Sequence, residues 1–133
     1  MVKPRRIAVV DDDPSVCKAL TRLLRASDLD ADAYRSAQQF LESLQTSAPD
    51  CLVLDLQMPE MNGLTLQREL VRTGIRLPVV IITGHDEPGM QARCVAAGVA
   101  AYLRKPLDDK TLLAAIDNAI NASNASDADQ GHS

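Results

Sequence analysis

IAVVDDDPSV, residues 7–16, joins four apolar residues to three consecutive aspartates. The apolar run is continuous rather than alternating, the pattern of a central parallel strand buried on both faces. Asp11, Asp12 and Asp13 then stand at its carboxyl end. Two carboxylates about 4 Å apart repel by roughly 4 kcal/mol at an effective dielectric near 20, so the cluster needs a physical reason. One acid is explained locally. Asp13 can cap a helix with Pro14 at its first position, and Val16, Leu20, Leu23 and Leu24 follow at helical spacing. The stretch therefore reads as strand, acidic turn, helix.

The same unit repeats along the chain. Further apolar runs are CLVLDL (51–56), PVVIIT (78–83) and AAYL (100–103), with a weaker one at ADAY (31–34). Ala37, Phe40, Leu41 and Leu44 predict a second helix, with Ser36 and Gln39 at capping-box spacing. A third follows Gly63, with Leu66, Leu70 and Val71 expected inward. A fourth is predicted from about Asp86 to Ala97, ending at Gly98. A fifth carries Leu112, Leu113, Ile116 and Ile120 on one face, with Asp108 as its cap. Five βα units with right-handed crossovers predict a doubly wound, flavodoxin-like parallel sheet of order 2-1-3-4-5. One domain over residues 1–121 is expected. Residues 122–133 lack an apolar face and read as a disordered tail or a truncated linker.

Composition narrows the function. The chain has 133 residues and a net charge of −4, with no basic stripe, so direct nucleic-acid binding is not expected. Cys17, Cys51 and Cys94 are odd in number and fit no metal spacing, so they read as buried apolar residues in a reducing compartment. The start is too short in apolar residues for a signal peptide or a membrane span, and a cytoplasmic location is expected.

In an open parallel sheet, ligands bind outside the carboxyl ends of the strands. Asp11 and Asp12, Asp55, Thr83 and Lys105 all fall at such ends. With the first and third strands adjacent, three carboxylates converge. A hard cation such as magnesium makes this tolerable, because it prefers oxygen ligands and keeps several waters. Magnesium, an amine and a hydroxyl together suit phosphoryl transfer, with one carboxylate as nucleophile.

VVDDDP, LVLDLQMPEMNG, IITGH and YLRKP, in this order and at these strand ends, resemble the receiver domain of two-component response regulators. The resemblance spans residues 5–121. IITGHDEPGM through AGVAAYLRKPLDD is similar to the FixJ-type branch, whose members usually carry a helix-turn-helix output domain. It implies that Asp55 is phosphorylated by a sensor histidine kinase. It implies that Asp11, Asp12, Asp55 and the backbone carbonyl of Gln57 hold Mg2+. Thr83 and Lys105 would contact the phosphoryl group, and Tyr102 would change rotamer with Thr83. The peptide matching Lys105–Pro106 is cis in that family. A homodimer through the face of the fourth helix, fifth strand and fifth helix is a further expectation. Beside these roles, His85 reads as a solvated loop residue, Gly84 as room for a phosphodonor, and Gly63 as a turn requirement.

The expected function is thus a phosphorylation-controlled switch, not an enzyme acting on a metabolite. It would control transcription through an output domain outside this chain, or act as a stand-alone phosphorelay receiver. A haloacid-dehalogenase-type phosphatase could be read onto Asp11 and Asp13, but Ser15 stands where its motif has Thr or Val, and a cap domain does not fit the length. A flavodoxin-like cofactor binder would need a neutral phosphate cradle where the aspartates stand.

Overall fold

A computed structural model describes residues 3–130, with side chains described through residue 124. The elements alternate without exception: β1 (Arg6–Val10), α1 (Pro14–Ala26), β2 (Asp30–Tyr34), α2 (Ala37–Ser43), β3 (Cys51–Asp55), α3 (Gly63–Arg72), β4 (Val79–Thr83), α4 (Met90–Ala96), β5 (Ala101–Arg104) and α5 (Asp109–Gln130). All neighbouring strands pair in parallel, in the order β2-β1-β3-β4-β5. This is the flavodoxin-like sheet expected from the alternation of apolar runs and helical stripes.

Strand alternation divides the core in two. Ala8, Val10, Leu52, Leu54, Val79 and Ile81 pack with α2, α3 and α4. Ile7, Val9, Val53, Val80 and Ile82 pack on the other face with α1 and α5. Every residue of β3 and β4 is buried, which explains why their sequences lack polar alternation. Cys17, Cys51 and Cys94 are free and buried, as their isolation in the sequence implied.

The expected caps form. Asp13 Oδ1 accepts from the Ser15 amide at 2.8 Å and Pro14 opens α1. Ser36 Oγ accepts from the Gln39 amide at 3.1 Å, and Gln39 Oε1 reaches back to the Arg35 amide at 3.1 Å. Asp108 Oδ2 accepts from the Thr111 amide at 2.9 Å.

Three local readings change. Val71 faces solvent, 59% exposed, while Leu66, Gln67 and Leu70 are buried. Gln67 takes an inward place because its Nε2 donates to the Ala97 carbonyl at the end of α4, at 3.0 Å. Helix α4 begins at Met90 rather than near Asp86. Pro88 and left-handed Gly89, at φ 81°, precede it, and residues 84–89 form a loop instead. The backbone of α5 runs helically to Gln130, past residue 121, where composition had suggested the end of structure. Ala122, Ala125 and Ala128 are strong helix formers and need no apolar stripe to favour that geometry. Residues 131–133 lie outside the described part.

Candidate functional site

The three aspartates at the end of β1 divide their work. Asp11 is fully buried. Its amide continues the ladder by donating to the Tyr34 carbonyl at 3.1 Å, and its own carbonyl accepts from Cys17 Sγ at 3.1 Å. Its carboxylate accepts from the Asp13 amide at 2.9 Å. Asp12 is exposed, and Asp13 caps α1.

Asp55 closes β3 and is only 4% exposed. A ligand oxygen from each of Asp11, Asp12 and Asp55 lies within 4.8 Å of the others. Lys105 Nζ sits 3.2 Å from Asp11 Oδ2 and 3.8 Å from Asp55 Oδ1. One ammonium thus serves two of the three carboxylates, and the cluster keeps excess negative charge. Burial pushes the Asp55 carboxyl up to about 6, and Asp11 adds to the rise, while Lys105 and the Gln57 amide oppose it. A buried acid in this condition favours any arriving positive charge. The hard-oxygen donor set, partly open at Asp12, suits magnesium.

Gly63 shapes this corner for a reason other than turn geometry. A Cβ there would lie 2.7 Å from the Asp55 carbonyl oxygen and 3.0 Å from Leu56 Cα. The start of α3 is therefore seated directly on the backbone that carries Asp55, and the Gly63 amide donates to the Leu56 carbonyl at 2.9 Å.

Thr83 ends β4, and its hydroxyl is not free. It lies 2.9 Å from both Gln57 Oε1 and the His85 carbonyl, and accepts from the His85 amide at 3.1 Å. A hydroxyl has one proton, so it donates to one of those oxygens at a time. Gln57 Nε2 donates to the His85 carbonyl at 2.6 Å. The His85 side chain is solvated, 76% exposed. Gly84 borders Lys105, whose Cδ would be 3.7 Å from an added Cβ.

Lys105 follows β5; its amide donates to the Thr83 carbonyl at 2.7 Å, and the Lys105–Pro106 peptide is cis. In the β4–β5 register Ile81 is opposite Tyr102 and Thr83 is opposite Arg104. Thr83 and Tyr102 therefore share one face of the sheet, one pleat apart. The Tyr102 hydroxyl donates to Asp86 Oδ1 at 2.8 Å.

A family model for the response regulator receiver domain matches residues 7–117. The chain belongs to the receiver family. Among curated receiver-bearing proteins, it is 39% identical over 114 residues to response regulator protein TodT of Pseudomonas putida, covering 86% of this chain and 50% of TodT. It is 34% identical over 125 residues to transcriptional regulatory protein FixJ of Azorhizobium caulinodans, covering 94% of this chain and 57% of FixJ. The chain thus spans about half the length of these relatives. The crystal structure of FixJ-N superimposes with a TM-score of 0.83 at 31% identity, covering 90% of this receiver and 96% of that chain. The response regulator StyR gives a TM-score of 0.84 at 33% identity, over 98% of this receiver and 66% of that chain.

Asp11, Asp12, Asp55, Thr83 and Lys105 gather at the carboxyl edge of this receiver's sheet, with Tyr102 one pleat away in β5. Two engagements were not foreseen: the Gln57 side chain on Thr83 and His85, and the Asp86 carboxylate on Tyr102. Each joins a loop residue to a strand or loop far from it along the chain. No local pattern announces them, because only the sheet order brings those segments together.

Proposed function

We propose that this receiver is a phosphorylation-activated switch whose phosphoryl acceptor is Asp55. The carrying observation is Lys105 Nζ set between buried Asp11 and Asp55 at the strand ends. An Asp55 oxygen attacks phosphorus and forms an acyl phosphate. The bond to the donor breaks, which is the P–N bond of a phosphohistidine when the donor is a sensor histidine kinase. Asp11, Asp12, Asp55 and the Gln57 backbone carbonyl would hold Mg2+. Magnesium, when bound, neutralises charge on the transferring phosphoryl oxygens. Lys105 pairs with one phosphoryl oxygen, and the Thr83 hydroxyl donates to another after leaving Gln57 and His85. Tyr102 then moves into the space that Thr83 vacates.

The moved ring alters the α4–β5–α5 face, where a second copy would dock. The receiver portion is assigned to residues 1–121. TodT and FixJ are about twice as long as the matched region, which supports an output domain acting on transcription, with no nucleic-acid contact from this chain itself. Among the described residues no helix is long and apolar enough to cross a membrane, and a cytoplasmic setting fits a partner kinase that phosphorylates from inside the cell. The chain turns over its own acyl phosphate and no metabolite. The phosphatase reading is disfavoured by Asp13, whose carboxylate is committed to capping α1.

Incubation with acetyl phosphate and magnesium tests the acceptor. One phosphoryl mass should appear by intact mass spectrometry and disappear in alkali. Asp55→Asn should abolish it; undiminished labelling of that variant would refute the assignment.

A further inference from the structure

The loop between β4 and α4 is held from two directions. Toward the acceptor, the His85 backbone is bound by Gln57 and Thr83. Toward β5, the Asp86 carboxylate splits its two oxygens. Oδ1 accepts from the Tyr102 hydroxyl at 2.8 Å, and Oδ2 lies 2.6 Å from Arg104 Nη2. Tyr102 and Arg104 project from the same face of β5, two residues apart, so one carboxylate reads both. A ring tethered at its hydroxyl does not rotate away until that bond breaks.

We propose that Asp86 is a positioning residue that tethers the Tyr102 ring to the β4–α4 loop and so sets the resting balance of the switch. This rests on the receiver mechanism given above, in which Tyr102 moves with Thr83. The two holds act in series. Withdrawal of Thr83 from the His85 backbone loosens the loop that carries Asp86, and the loosened loop releases the ring. Arg104 contributes orientation more than energy, because its side chain is 64% exposed and such pairs are screened. Burial and the Asp86 hydrogen bond push the Tyr102 phenol up to about 12, so it stays a donor near neutral pH.

The bond is charge-assisted but partly solvated, so its loss should raise the ratio of active to resting receiver about three- to tenfold. The test uses the full chain labelled with 3-fluorotyrosine, with Tyr34→Phe leaving Tyr102 as the single probe. Fluorine NMR spectra are compared with and without beryllofluoride and magnesium. In the parent, beryllofluoride should move the Tyr102 resonance to an activated position. Without beryllofluoride, Asp86→Ala should already move it toward that position, and Asp86→Asn, which keeps an acceptor, should move it less. Acetyl phosphate should label Asp86→Ala faster by about the same factor, since the active form is the better acceptor. A parent resonance that ignores beryllofluoride overturns the switch mechanism and the tether with it. A parent that responds, beside an Asp86→Ala spectrum identical to the resting parent or displaced to a third position, overturns the tether alone.

Discussion

Asp55 carries a cost that its proposed role as phosphoryl acceptor explains. It is nearly excluded from solvent, and its carboxyl is raised from 3.8 to about 6, first by burial and then by Asp11. The unfolded chain releases this proton near pH 3.8 and the folded chain near 6. Between those values the folded state binds more protons, so its stability falls as pH rises through the window. The full penalty amounts to about 3 kcal/mol above pH 6, at 1.36 kcal/mol per unit. Asp55→Asn should therefore gain stability over the parent, by about 2–3 kcal/mol, when urea unfolding in chelator is moved from pH 4 to pH 7.5. A constant difference across that range would remove buried charge as the cause. Magnesium should narrow the gap at pH 7.5 by stabilising only the parent strongly. Asp12→Ala should weaken that magnesium response, with affinity down about tenfold or more by calorimetry. Equal affinity would exclude Asp12 as a ligand. At this scale the sequence was legible where a residue's role is local, as in the Asp13 cap. It was not legible for the side chain of Gln57, whose partners lie across the sheet edge on another loop.

Helix α3 shows how an element can serve the site from its first residue. Gly63 lets its backbone close on the Asp55 carbonyl, and the obstacle to a Cβ is main chain, which does not swing aside. Gly63→Ala should cost about 1–3 kcal/mol in chemical denaturation and slow acetyl-phosphate labelling of Asp55. Unchanged stability and labelling would show that the corner relaxes freely. Further along the same helix, Leu70→Ala should cost about 2–5 kcal/mol, whereas exposed Val71→Ala should stay within about 0.5 kcal/mol. Comparable losses would return Val71 to the core. Hydrophobicity alone marks Val71 as inward, yet it faces solvent. The inward place belongs to Gln67, a polar residue buried by its bond to the end of α4. Helix α4 begins later than its sequence suggests for a related reason: Asp86 looks like a helix-starting acid, yet its carboxylate is taken by Tyr102 and Arg104.

For the molecule as a whole, the proposed switch links one acid at the sheet edge to one distant face. Thr83 and Tyr102 lie on the same side of β4 and β5, and the proposed mechanism uses that pair to carry a change at Asp55 to the α4–β5–α5 surface. Thr83→Ala and Tyr102→Ala should both still accept a phosphoryl group but gain less self-association with beryllofluoride than the parent, measured by sedimentation. A full response in both variants would send the signal by another route. The order of the elements, the two-faced burial of β1 and β4, and the strand-end positions of Asp11, Asp55, Thr83 and Lys105 were all determined by the sequence. Continuous apolar runs, helical spacing and caps are short-range signals, and right-handed crossovers leave little choice in how to wind them. The tertiary structure alone decided which groups share bonds: Lys105 between two buried carboxylates, Gln57 on Thr83, and Asp86 on Tyr102 and Arg104. Those partners are 16 to 94 residues apart or sit on separate loops. Their meeting depends on sheet register and on the angle at which each chain leaves its strand, which no spacing along the sequence encodes.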